Sequence, residues 1–312
     1  MRRFLRAPEA ITAVLLLLAF VAGAIQSRHF LDPYYLLDKT SDNAEAGLLV
    51  LGMTFVIVCG EIDLSVASNL ALCSCIVAKL MAAGVPPFLA VVLGIAAGGL
   101  FGALNGALVA YAKLPSFLVT LGTLAFLRGS AQALMGAASV SAPDRFKGID
   151  SAYLPLTGIP LPVAILAVMA IILGFVLHRT VVGRWIFAVG SNDQAASYSA
   201  VPTRRMKFSV FVLSGCLAGG AGAMIDSSLG VARYDHAKGL ELVVITATVL
   251  GGASIYGGRG TILGSVLALL LIVVIQSGMG VANVQADYQL AIIGAILVIA
   301  VGLNIFARRW DR

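Results

Sequence analysis

Apolar runs of 12 to 24 residues alternate with short polar gaps along the chain, and within each run the apolar character is continuous, not alternating at period two. A bilayer core takes about 20 helical residues per crossing. The pattern therefore predicts an all-α polytopic membrane protein with about ten spans, and it disfavours a β-barrel. The expected spans are Ile11–Gln26, Asn43–Cys59, Val66–Ala83, Phe88–Tyr111, Ser116–Gly136, Ile159–Leu177, Phe208–Met224, Leu242–Ala253, Thr261–Gly278 and Tyr288–Phe306. The first of these also reads as a secretory signal with Ala22-Gly23-Ala24 as a cleavage site; a retained helix is preferred because many spans follow.

Three features break the pattern. The longest polar island is Ala188–Phe208, which opens on Gly190-Ser191-Asn192-Asp193, allows about two helical turns, and then meets Pro202 and the basic cluster Arg204, Arg205 and Lys207. It reads either as a short helix outside the bilayer or as a solvated loop. Gly60-Glu61-Ile62-Asp63-Leu64-Ser65 interrupts the apolar run between the second and third spans. In the fourth span Gly94, Gly98, Gly102 and Gly106 recur every four residues, a ladder suited to close helix packing.

Composition agrees with a single integral membrane domain over residues 1–312. Hydrophobic residues make up 60%, charged residues 12%, and the mean hydropathy is +0.98. With ten spans both termini lie on one side. That side receives Arg2, Arg3, Arg6, Lys113, Arg179, Arg184, Arg204, Arg205, Lys207, Arg259, Arg308, Arg309 and Arg312, which is 13 of the 21 basic residues. The excess predicts that both termini and the polar island are cytoplasmic, and it accounts for the net charge of +6 without a nucleic-acid partner. Cys59, Cys73, Cys75 and Cys216 lie in or beside apolar runs and read as packing residues, with no metal-ligand set around them.

No enzyme constellation is present. His29, His178 and His236 are in separate gaps, and no glycine-rich loop ends in GK[ST]. An aspartate close to a span is costly unless paired or facing a polar cavity, so Asp63 and Ser65 are candidates for a translocation pathway. Helix capping by Asp63 is the alternative. Thr120 and Thr123, with Gln132 two to three turns further on, put hydroxyls and an amide on the fifth span. That face suits weak contact with a solute's hydroxyls, or simply bonds back to its own helix.

Four stretches taken together, GMTFVIVCGEIDLSVAS (52–68), FLVTLGTLAFLRGS (117–130), AVGSNDQAASYSAVPTRRMK (188–207) and VLGGASIYGGRGTILGS (249–265), resemble the permease subunits of ABC importers of the ribose, xylose and autoinducer-2 type, a family shared with branched-chain amino acid permeases. The resemblance spans nearly the whole chain and implies a type II ABC importer-like permease. It implies a coupling segment at about 188–207 whose short helix docks on the ATPase through Asn192, Gln194, Ala195, Ala196, Tyr198, Ser199 and Ala200. Arg204, Arg205 and Lys207 are then expected to anchor the next span at the inner leaflet. The family pattern has glycine where Glu61 stands, so this chain carries one extra carboxylate there.

The implied assembly is a homodimer or heterodimer of permeases in a bacterial inner membrane, with the pathway at the dimer interface. It would have no catalytic residues, cofactor or metal of its own, since ATP and Mg are held by a separate ABC ATPase. A periplasmic or lipoprotein solute-binding protein is expected to dock on the outer loops near Asp144, Arg145, Lys147, Asp226, Arg233 and Asp235. The expected solute is a monosaccharide or related small polyol, such as a pentose, a rhamnose-like deoxyhexose or autoinducer-2. The alternative is a secondary transporter driven by an ion gradient, which calls for more ionisable residues in mid-span than Arg128 alone.

Overall fold

The computed structural model describes residues 8–136, 139–144, 146, 152–155, 157–285, 288–289, 291–299 and 302. Arg2, Arg3, Arg6, Arg145, Lys147, Asp150, Arg308, Arg309 and Arg312 lie outside the described residues, as does part of the tenth expected span. The helices are α1 (Pro8–Gln26), α2 (Pro33–Ser41), α3 (Ala44–Val58), α4 (Val66–Ala82), α5 (Pro87–Ala110), α6 (Ser116–Met135), α7 (Leu161–Arg179), α8 (Val181–Ser191), α9 (Asp193–Tyr198), α10 (Thr203–Leu229), α11 (Leu240–Leu250) and α12 (Ile262–Val281). A two-stranded antiparallel pair, β1 (Val140–Ser141) with β2 (Val231–Ala232), joins two loops at one end.

Nine of the ten expected spans coincide with a helix, and residues 291–299 are helical where the tenth was expected. Among the described residues six helices, α1, α5, α6, α7, α10 and α12, are long and apolar enough to cross alone, and α2 with α3 forms a further candidate bent by 63°. Helices α3, α4 and α11 have 15, 17 and 11 residues, because non-helical breaks at 59–65 and 251–261 follow α3 and α11.

Two boundaries differ from the sequence reading. Helix α10 begins at Thr203, after Pro202, and absorbs the basic cluster; it ends where Gly230 takes a left-handed φ of 64°. Asp226, expected in an outer loop, is therefore inside α10. It is fully buried and accepts a hydrogen bond from Ser74 Oγ. Helix α8, which the apolar pattern does not predict, starts where the Thr180 hydroxyl accepts from Gly183 N–H at 3.3 Å.

The core is built on glycine. A Cβ at Gly98 would sit 2.3 Å from Gly215 O, one at Gly102 2.3 Å from Phe211 O, and one at Gly106 2.9 Å from Phe208 O. Gly98, Gly102 and Gly106 thus lie directly against the α10 backbone, and no side chain would fit at these positions, whereas a Cβ at Gly94 would meet Val77 on α4. Close approach replaces the hydrophobic drive that lipid does not supply. Cys59, Cys73 and Cys75 are buried and Cys216 is partly exposed; all four are free thiols.

Candidate functional site

Helix α9 is six residues long and needs outside help to persist, since so short a helix has too few internal bonds to offset its ordering cost. Its sequence provides that help at both ends. Asn192 sits in extended backbone between α8 and α9, and its Oδ1 accepts from Ala195 N–H at 2.9 Å. At the other end Ala200 adopts a left-handed φ of 59°, so that Ala200 N–H donates to Ser197 O and Val201 N–H to Ala196 O, each at 3.1 Å. This is the Schellman closure, made with alanine where glycine is usual. Asn192, Gln194, Ala195, Tyr198, Ser199 and Ala200 are exposed, Tyr198 at 91%. Ala196 is turned inward and joins the core, so six of the seven residues singled out from sequence share the free surface and the seventh anchors them.

The island is tied to the rest of the chain by charge. Lys207 Nζ lies 2.9 Å from Glu61 Oε1 and 3.0 Å from Asp193 Oδ2. The lysine and the glutamate side chains are only 20% and 11% exposed, whereas Asp193 is half open. Lys207 is therefore an internal tie between α9, α10 and the 59–65 break, not the lipid anchor expected of it. Arg204 and Arg205 remain exposed. Around this tie is a cavity of about 590 Å³ that also reaches Lys113, Tyr198 and Arg204.

Three of the four sequence motifs meet just beyond it. Gly258 N–H donates to Val58 O at 2.9 Å, and Gly190 fits between them so tightly that a Cβ would fall 1.9 Å from Val58 O and 2.6 Å from Gly258 N. Gly60 and Gly257, with φ of 86° and 81°, face each other over Gly190. The end of α3, the end of α8 and the 251–261 break thus share one backbone junction.

The fourth motif closes the other side of the 59–65 break. Thr120 on α6 donates to Ile62 O at 3.2 Å and to Ser116 O at 2.8 Å, and Ile62 N–H donates to Ser116 Oγ at 3.3 Å. Asp63 is buried and accepts from Ser65 N–H at 2.9 Å, Ser65 Oγ at 2.6 Å and Ser214 Oγ on α10 at 3.1 Å. Asn105 on α5 donates to Ser65 Oγ at 2.9 Å. Three donors satisfy the carboxylate that burial would otherwise penalise.

Comparison with known proteins settles what kind of chain has this architecture. Residues 43–301 match the family described as "Branched-chain amino acid transport system / permease component". The chain belongs to that permease family. Autoinducer 2 import system permease proteins LsrD from Escherichia coli strain K12 and from Shigella flexneri are 37% identical to it over 94% of this chain and 90% of theirs. The LsrD protein of Salmonella paratyphi A is 34% identical over the same shares. No solved structure matches the permease at a comparable level.

In this permease the remaining sequence candidates fall apart from the junction. Asp63, Ser65 and Thr120 belong to the buried network just described. Thr123 is half-buried and donates to Val119 O at 3.1 Å, a bond within its own helix, while Gln132 is exposed two turns beyond. Arg128 serves the far end: its Nη1 donates to Tyr234 O and His236 O, each at 2.7 Å, and holds the loop after β2. Burial pushes the His236 imidazole below its ordinary value, with Asp235 opposing and Arg233 and Arg128 adding to the shift.

Sequence reasoning missed Asn105 and Ser214, and it gave Glu61 and Lys207 no partner. Polar residues inside apolar runs were the available signal for the first two. Nothing in one dimension brings Glu61 to Lys207, which are separated by more than 140 positions.

Proposed function

We propose that this permease is the membrane subunit of an ATP-driven ABC importer and that α9 is its coupling helix. The observation that carries the reading is α9 itself, a six-residue helix closed at both ends, with its polar face free and its only buried side chain, among Asn192 to Ala200, holding it to the core. Small residues and amides on that face suit docking in a cleft of a separate ATPase subunit, which supplies the nucleotide chemistry. The excess of basic residues supports a cytoplasmic location for α9 and for both termini, in a bacterial inner membrane.

On this reading two permease subunits, identical or similar, form the pathway between them. A solute-binding protein outside delivers a compact polyhydroxylated solute. The LsrD relatives support a solute of the autoinducer-2 kind, with other small sugars of like size as competitors. ATP binding closes the ATPase pair, α9 moves with it, and the permease halves rock between inward-open and outward-open forms. Work is transmitted only if α9 docks differently in the two ATPase states, because equal docking shifts no equilibrium.

The test is co-purification from detergent followed by uptake in proteoliposomes. The wild-type chain is expected to retain an ABC ATPase and to take up labelled autoinducer-2 only with ATP. Replacing Gln194, Tyr198 and Ser199 together by arginine is expected to abolish both. Uptake by the chain alone, without ATP, refutes the proposal and favours the ion-driven reading.

A further inference from the structure

From the ion pairs at the basic end we infer that Lys207 is a positioning residue: by holding Glu61 and Asp193 at once, it makes α9 and the 59–65 break move as one body. The inference rests on the proposed role of α9 and adds the route by which its displacement enters the membrane domain.

Helix α9 has few other attachments. Asn192 alone separates it from α8, Ala200 and Pro202 turn it away from α10, and Ala196 is its one buried side chain. A six-residue helix held in this way would pivot on Asn192 when pushed. Lys207, one turn into α10, removes that freedom by reaching Asp193, the first residue of α9, at 3.0 Å. The same ammonium reaches Glu61 at 2.9 Å, two residues before Asp63. Two carboxylates share one lysine, so a shift of α9 is passed through the half-open Asp193 to Lys207 and on to Glu61, whose pair with the lysine is the one largely shielded from water. Breaking such a pair by removing one partner leaves an uncompensated charge, which makes it a firmer link than an exposed surface pair.

The link ends at a place able to respond. Glu61 N–H donates to Val56 O at 3.0 Å, Gly60 lies against Gly190 and Gly257, and Asp63 is bonded to α10 through Ser214. Displacing Glu61 therefore loads the junction of α3, α8 and the 251–261 break, and it loads the buried Asp63 network at the start of α4. Asp193 is the exposed member and would take part in both the docked and free states, whereas Glu61 is nearly closed off.

Two measurements decide this. In the full chain in lipid nanodiscs, hydrogen exchange of the 195–201 amides is expected to rise at least fivefold in Asp193→Asn and in Lys207→Met, the two variants that remove the contact to α9. The triple reversal Glu61→Lys, Asp193→Lys, Lys207→Glu is expected to restore protection, which a merely size-dependent role for these side chains would not do. In proteoliposomes with the ATPase captured by the wild-type chain, Glu61→Gln is expected to cut solute moved per ATP at least fivefold while ATPase capture stays within twofold. Unchanged exchange in both single variants overturns the inference, as does a coupling ratio equal to wild type. Failure of the wild-type chain to capture any ATPase overturns the proposed function instead, and the exchange result still reports whether the tie exists.

Discussion

The breaks of two helix–break–helix units in the permease, α3–α4 and α11–α12, meet but are built from different materials. The 59–65 break satisfies itself with side chains: Asp63 gathers Ser65 and Ser214, Thr120 and Ser116 bond Ile62, and Glu61 takes Lys207. The 251–261 break relies on backbone approach, with positive φ at Gly252, Gly257, Gly258 and Gly260 and with Gly251 and Gly264 packed so that a Cβ on either would overlap the other's backbone. The first kind of break can be altered by changing one charge. The second tolerates almost no added atom. Under the coupling role proposed for α9, the break open to adjustment is the one tied to it through Lys207.

Substitutions that separate sterics from polar bonding test the contrast. The largest effect is expected for Gly257→Ala, whose Cβ would lie 2.5 Å from Gly190 O and 2.8 Å from Gly60 Cα at a φ of 81°. Overpacking and left-handed strain together predict a loss of about 3 kcal/mol or more, seen as loss of the monodisperse peak on gentle heating in detergent. Next comes Asp63→Ala, which strands the donors of Ser65 and Ser214 and is expected to cost about 2–3 kcal/mol. Asp63→Asn keeps an acceptor and should retain most of that stability, so any loss of uptake in the Asn variant would measure the charge itself.

Gly60→Ala is the sharper comparison with Gly257, since φ is nearly the same, 86°, but no heavy atom comes nearer than 3.6 Å. Only backbone strain remains, and about 1–2 kcal/mol is expected. If Gly60→Ala and Gly257→Ala prove equally damaging, the two breaks are not different in kind.

The smallest effect belongs to the far end and serves as a control on both breaks. Burial holds the His236 imidazole below its usual value of about 6.5. A depressed pKa means the opened loop binds the proton more readily, so stability is full above that value and is lost as pH falls through the lowered one. Acidification from pH 7 to 5 is expected to lower slightly the protection of the 231–239 amides, measured as exchange relative to each amide's intrinsic rate at that pH, and to leave the protection of 56–65 and 251–260 unchanged. His236→Gln should remove the dependence.

Much of the fold was legible because each span must bury about 20 apolar residues against lipid, and runs of that length are visible directly. The ladder of Gly94, Gly98, Gly102 and Gly106 likewise announced close packing; the last three face α10, and the Cβ position of Gly94 faces Val77 on α4. The extent of α10 was misread because Asp226 looks like loop in sequence; inside α10 its Oδ1 accepts from Ser74 on α4, while its Oδ2 is buried without a hydrogen-bond partner. Helix α8 was missed because eleven residues are too few to register as a span and its cap, Thr180, is one residue among many hydroxyls. At the candidate site the residues alone leave a short helix and a solvated loop both open, and the family resemblance narrows the island to Asn192 to Ala200; the inward turn of Ala196 depends on how α9 lies on the core. The convergence of Val58, Gly190 and Gly258 depends on three separate chain reversals, and sequence distance carries no record of them.

The cysteines have a practical consequence for watching α9 at work. Cys59, Cys73 and Cys75 are closed off, and Cys216 alone is partly open on α10. A Cys216→Ala background should therefore be nearly silent to maleimide dyes, and a single cysteine placed at Tyr198, 91% exposed, would report the position of α9 without competing label from the membrane domain.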